Sequence, residues 1–107
     1  MTHILDQLSE TLKSRKGAAP ETSYVARLYQ EGTGKCAQKF GEEAVETVIE
    51  AMKIAGGDES AKKTFAEESA DAIFHLMVLW AQLGIEPSEI WSVLEARVGK
   101  VSDKDLK

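Results

Sequence analysis

The sequence predicts an all-α protein, a helical bundle of about five helices with a central antiparallel pair, completed by oligomerisation. Apolar residues recur at helical spacing along most of the chain, and no run of alternating Val, Ile and Thr marks a strand. Prolines number two, and the glycines gather at a few breaks with helix-length segments between them. One of those segments is apolar on nearly every side, and a chain of 107 residues has few neighbours with which to cover it.

The first helix is expected from about Ile4 to Ser14, where Ile4, Leu5, Leu8 and Leu12 share one face. Gly17 to Pro20 breaks the chain. A shorter helix follows from about Ser23 to Gln30 with Val25, Leu28 and Tyr29 in a helical pattern, and Gly32 and Gly34 end it. The third spans about Cys36 to Ala55 and stops at Gly56-Gly57. Asp58 is placed to cap a fourth, which runs to Leu83 with Gly84 just past its end. Pro87 suits the first turn of a fifth, through about Val98. Residues 1–107 read as one domain, its core over 4–98 and a frayed tail over 99–107.

Composition bounds what such a domain does. The net charge of −5 argues against nucleic-acid binding by bulk charge. An acidic protein can still take an anionic substrate when a divalent metal stands between them. Cys36 is the only cysteine, which suits a reducing compartment and reads as a small buried residue rather than a nucleophile. Asp6, Glu10 and Lys13 interrupt the N-terminal stretch, so it is no secretory segment, and no apolar run reaches the length of a membrane span. The expectation is a cytoplasmic protein with no membrane partner.

The polar residues of the two long helices are less ordinary. On the third, Phe40, Ala44, Val45, Val48, Ile49, Ala51, Met52 and Ala55 form a very wide apolar face, while Glu42, Glu43, Glu46 and Glu50 share an arc of about 100°. On the fourth, Glu68, Asp71, His75 and Gln82 share about 60° of an otherwise apolar helix. A short connection makes these helices antiparallel neighbours. Glu43 and Glu46 precede Gly56 by about the distance at which Glu68 and Asp71 follow Gly57, so in a hairpin both pairs reach the same level. Each pair has i, i+3 spacing and lies on one face, about 5–6 Å apart.

Such a convergence opposes folding unless something offsets it. Two unit charges about 5.5 Å apart repel by roughly 3 kcal/mol at an effective dielectric of about 20. A cation removes the repulsion, and an all-oxygen ligand set points to Mg²⁺ or Mn²⁺. The ligands are then Glu43, Glu46, Glu68 and Asp71, with Glu42 beside them as a candidate general base. Lys35 and Lys39 project from the acidic side one and two turns earlier and are candidates for phosphate contacts, as is Arg27; both lysines also stand at helical spacing to pair with Glu42 and Glu43. His75 follows Asp71 by one turn, placed to donate to a carboxylate or to substrate. Glu50 reads as a solvated surface charge. Phe74, Val78 and Trp80 of the fourth helix are expected at a subunit interface, and Trp80 and Trp91 as core or interface residues.

The spacing Glu43-x-x-Glu46, then Glu68-x-x-Asp71 after 21 intervening residues, resembles the E-x-x-E…E-x-x-D signature of the all-α nucleoside triphosphate pyrophosphohydrolases, the MazG-like superfamily. With SYVARLYQEGTGKCAQKFGEEAVETVIEA and EESADAIFHLMVLW, the resemblance narrows to the phosphoribosyl-ATP pyrophosphatase family, over about Leu5 to Val98. It implies Mg²⁺-dependent hydrolysis of phosphoribosyl-ATP to phosphoribosyl-AMP and pyrophosphate, in histidine biosynthesis, by a homodimer or larger assembly. "GTGKC", residues 32–36, is not a phosphate loop: Tyr29 stands where a glycine is needed, Cys36 where Ser or Thr is needed, and no strand precedes it.

Three other readings compete. A housekeeping pyrophosphohydrolase of the same superfamily would share the metal site and differ in its substrate pocket. A di-iron bundle typically uses Glu-x-x-His, which neither long helix has. A non-catalytic helical dimerisation module leaves the converging acids unexplained.

Overall fold

A computed structural model describes residues 3–99, in the order α1 (Ile4–Ser14), α2 (Tyr24–Glu31), α3 (Thr33–Ala55), α4 (Ala61–Leu83) and α5 (Pro87–Val98). Among the described residues there is no strand, and no helix is long and apolar enough to cross a membrane. The fold is the all-α bundle expected, with α3 and α4 packed lengthwise as its central hairpin. Of the expected tail, Gly99 caps α5, and residues 100–107 lie outside the described residues.

Local chemistry sets the helix ends. The Ser23 side chain accepts from the Ala26 N–H at 3.1 Å, capping α2. Gly32 then turns the chain directly into α3 with φ 99° and ψ 177°, a conformation essentially reserved for glycine. The third helix therefore starts at Thr33 rather than Cys36, and Gly34 lies in its first turn instead of ending the second. Asp58 accepts from the Ser60 N–H at 3.0 Å and closes a turn before α4 rather than capping the helix itself, which begins at Ala61. Pro87 opens α5 as expected, and the Glu89 carboxylate reaches back to the Glu86 N–H at 2.9 Å.

The core gathers Leu12, Leu28, Cys36, Met77 and Val78, one or two residues from each of α1 to α4. Tyr29 of α2 donates its hydroxyl to the Leu12 carbonyl at 2.8 Å, tying α2 to α1. The Cys36 thiol is fully buried, donates to the Leu28 carbonyl and is pushed above its usual pKa by that burial, so it packs rather than reacts. Trp80 and Trp91 meet edge to face at 5.8 Å and join α4 to α5.

The apolar surface is distributed differently from the sequence expectation. Val78 is 0% exposed and belongs to the chain's own core, while Phe74 and Trp80 pack against that core and stay half-buried. On α3 the uncovered apolar side chains are Val45, Val48, Ile49 and Met52, at i, i+3, i+4 and i+7, while Ile73 and Leu83 of α4 and Val93, Leu94 and Val98 of α5 are also exposed. The wide apolar face of α3 is thus split: α4 takes one side of it, and the other forms a stripe open to solvent.

Candidate metal centre

The hairpin brings the acids of α3 and α4 to one level. One carboxylate oxygen each from Glu43, Glu68 and Asp71 lie within 4.8 Å of one another. Glu43 and Glu68 are half-buried between the helices and Asp71 is exposed at the edge. Glu46, one turn along from Glu43, is exposed and faces Glu68. Three of the four acids therefore meet in one small volume, and Glu46 stands outside that trio, against Glu68.

Its electrostatics are those of a site short of positive charge. Glu43 Oε2 and Glu68 Oε2 are buried without a hydrogen-bond partner among the described residues. A carboxylate oxygen in that state needs a proton or a cation. The facing carboxylates of Glu46 and then Glu43 favour a proton on Glu68, and its pKa is pushed up to about 7. Two orphaned oxygens within an all-oxygen set fit a hard divalent cation such as Mg²⁺ or Mn²⁺. The described residues place no thiol or imidazole in the cluster to favour a softer metal.

The neighbouring candidates fall around this cluster in distinct ways. Glu42 is exposed; its carboxylate accepts from Gln38 Nε2 at 2.9 Å and pairs with Lys39 Nζ at 3.3 Å. The Gln38 hydrogen bond first, then the Lys39 ammonium, holds the Glu42 pKa below its usual value. The ammonium of Lys39 is stabilised chiefly by the Glu42 carboxylate beside it, which raises its pKa. Lys35 is half-buried one turn earlier and close enough to add to the field on Glu42. Arg27 is exposed on α2, donating to the Pro20 carbonyl at 3.2 Å with its guanidinium 5.6 Å from the Tyr24 ring centre.

One residue, Glu50, differs from its sequence reading, and His75 is placed by a contact distant in sequence. Glu50 is buried, 8% exposed, and pairs with Lys53 at 2.8 Å; it is not a solvated surface charge. It sits at the α4-facing edge of the acidic stripe, and the i, i+3 lysine on the same helix compensates it. His75 is also buried, and its ring reaches neither a carboxylate oxygen nor open solvent. Nδ1 lies 3.0 Å from the Asp71 backbone carbonyl and Nε2 lies 3.0 Å from the Tyr24 hydroxyl. The ring thus meets the backbone of Asp71 rather than its carboxylate. Sequence reasoning passed over Tyr24, because the pairing spans 51 positions and leaves no local signal.

Comparison with known proteins adds an independent observation. Residues 5–98 match the family profile described as phosphoribosyl-ATP pyrophosphohydrolase. A protein of Azospirillum brasilense named phosphoribosyl-ATP pyrophosphatase is 56% identical over 96 residues, covering 90% of this chain and 81% of that relative. One of the same name from Paramagnetospirillum magneticum is 50% identical over 96 residues, covering 90% of this chain and 83% of its own length.

Proposed function

This chain belongs to the phosphoribosyl-ATP pyrophosphohydrolase family, and from that premise we propose that it cleaves phosphoribosyl-ATP to phosphoribosyl-AMP and pyrophosphate in histidine biosynthesis, the activity for which its relatives are named, with Mg²⁺ held by Glu43, Glu46, Glu68 and Asp71. The observation that carries the metal assignment is the meeting of Glu43, Glu68 and Asp71 within 4.8 Å, with two buried carboxylate oxygens left without donors. A dimerisation module has no use for that arrangement. Comparing turnover of phosphoribosyl-ATP with that of free deoxynucleoside triphosphates tests the substrate: the family reading expects phosphoribosyl-ATP to be strongly preferred, and a preference for the free nucleotides would transfer the chain to the housekeeping activity.

Hydrolysis between the α and β phosphorus asks the protein to neutralise a polyanion, hold it in line with a water and take a proton. Bound at the four acids, Mg²⁺ would supply the positive charge that lets an acidic surface accept the phosphates. Lys35, Lys39 and Arg27 are assigned to the phosphates from the α2 and early α3 side. For Lys39 this means exchanging or sharing its Glu42 partner.

Glu42 is assigned to the proton of the attacking water. Its partners Gln38 and Lys39 orient the carboxylate and also lower its pKa, so it stays ionised at neutral pH at some cost in basicity. Glu42→Gln is expected to lower kcat by about 10²–10⁴-fold, the range for a positioned acid–base group, with Mg²⁺ affinity retained. Calorimetric Mg²⁺ titration alongside steady-state kinetics checks both halves. Near-normal kcat would pass the role to one of the four metal-site acids.

The exposed stripe on α3 supports a homo-oligomer, with a second copy of the chain as its occupant. Val45, Val48, Ile49 and Met52 have the spacing by which one helix packs against another. Val48→Asp places a charge in the middle of that stripe at a position 60% exposed, where it does not disturb the chain's own core. Sedimentation is expected to show the wild type associated at micromolar concentration and the variant monomeric; a monomeric wild type contradicts the assignment.

A further inference from the structure

The contact between Tyr24 and His75 is not absorbed by the reaction as assigned. A backbone carbonyl has no proton to give, so Nδ1 of His75 donates to Asp71 O, and in the tautomer whose single proton sits there Nε2 is an acceptor. Tyr24 therefore donates its hydroxyl to Nε2, and the two rings stand edge to face at 6.0 Å and 89°. The chain Tyr24–His75–Asp71 ties the first turn of α2 to the turn of α4 that bears a metal-site acid. It touches the backbone of that turn and not its carboxylate.

The tie is not needed to hold α2 in the fold. Ala26 and Leu28 are buried, and Tyr29 is bonded to Leu12, so the helix is docked without Tyr24, which is 41% exposed. What the tie does fix is the Tyr24 ring itself, and Arg27, one turn further on the same face, lies against that ring. A guanidinium has five N–H donors in a rigid fork; one nitrogen donates to Pro20 O, and among the described residues the others have no hydrogen-bond acceptor and can meet an anion.

We infer that Tyr24 is a positioning residue for substrate: anchored to α4 through His75, it fixes the platform on which Arg27 meets the phosphates, and it acts on substrate binding rather than on the metal. This deepens the function proposed above and rests on it.

The test is a double-mutant cycle of Tyr24→Phe, Arg27→Ala and the two combined, read at saturating Mg²⁺ as KM and kcat for phosphoribosyl-ATP and as calorimetric affinity for α,β-methylene-ATP. Tyr24→Phe keeps the ring and removes only the hydroxyl. It is expected to raise KM by about 3- to 10-fold with kcat within about twofold, the pattern of lost uniform binding. Arg27→Ala is expected to raise KM by about tenfold or more, the scale of one charge-assisted hydrogen bond. The double variant should be no worse than Arg27→Ala, because the hydroxyl works through the arginine.

Nitrogen NMR of His75 should show a protonated Nδ1 and an accepting Nε2 in the wild type, with the Nε2 resonance moved in Tyr24→Phe. The Mg²⁺-induced rise in melting temperature should be unchanged in that variant. Additive effects in the cycle, an unaltered KM and analogue affinity in Tyr24→Phe, or a loss of the Mg²⁺ response would each overturn the inference. Failure of the wild type to cleave phosphoribosyl-ATP counts against the assigned reaction instead, and the analogue-binding arm of the cycle still decides the role of Tyr24.

Discussion

Glu46→Gln and Asp71→Asn are each expected to lower pyrophosphate release from phosphoribosyl-ATP by about 10²-fold or more, the scale of losing one main electrostatic stabiliser, while the metal-free protein melts at the same temperature or higher. Both changes keep side-chain shape and remove a charge. Asp71 contributes one of the three oxygens that lie within 4.8 Å of one another, and Glu46 faces Glu68. Removing either charge relieves repulsion in the absence of a cation. A network that served only structure would behave in the opposite way, losing stability with each change. Glu50→Gln supplies the contrast within the same helix. Glu50 is buried and paired with Lys53, so its substitution is expected to lower the melting temperature and leave turnover near normal. Steady-state turnover with Mg²⁺ and thermal melting in chelator, on all three variants, separate the two patterns. Near-normal turnover in both Glu46→Gln and Asp71→Asn would end the metal-site assignment.

The same crowding makes the metal-free protein sensitive to pH. Glu68 titrates at about 7 in the folded chain against 4.5 for an ordinary glutamate. The folded state therefore holds this proton more tightly than the unfolded state does. Its contribution to stability is fully present below the unfolded value and is lost as pH rises through the folded one. Without divalent cation, urea unfolding is expected to show higher stability at pH 5 than at pH 8, with the decline between about 4.5 and 7. Glu68→Gln should remove most of that slope and raise metal-free stability at pH 8. Mg²⁺ should flatten the slope from the other side, because it stabilises the ionised cluster and displaces the proton on binding. A metal-free protein whose stability rises over this pH interval would contradict the assigned crowding at Glu68.

How much of this was legible in the sequence depends on which contacts are local. The breaks at Gly56-Gly57, Gly84 and Pro87 are local, and they place the long hairpin and α5 where the structure has them. The i, i+3 acid pairs are local too, and one short connection then suffices to put them at one level. The α2–α3 boundary was misplaced because Gly34 looks like a stop, yet a glycine is tolerated in the first turn once Gly32 has made the corner. The burial of Glu50 depends on the direction from which α4 approaches α3, which a helical wheel does not contain. The same missing direction decides which apolar side chains the chain's own core covers. Val78 looked surplus to so small a core and proved central to it, while α3 carries an uncovered apolar stripe. The Tyr24–His75 contact depends on two distant segments meeting, and only the fold brings them together.

The most direct test of the central claim, that the acids of α3 and α4 hold a divalent cation for cleavage of phosphoribosyl-ATP, is product analysis on that substrate in Mg²⁺ and in chelator. The account predicts phosphoribosyl-AMP and pyrophosphate in equal amounts with Mg²⁺, no release in chelator, and full recovery when Mg²⁺ is restored. Release that persists undiminished in chelator, or an intact substrate with Mg²⁺ present, would contradict it.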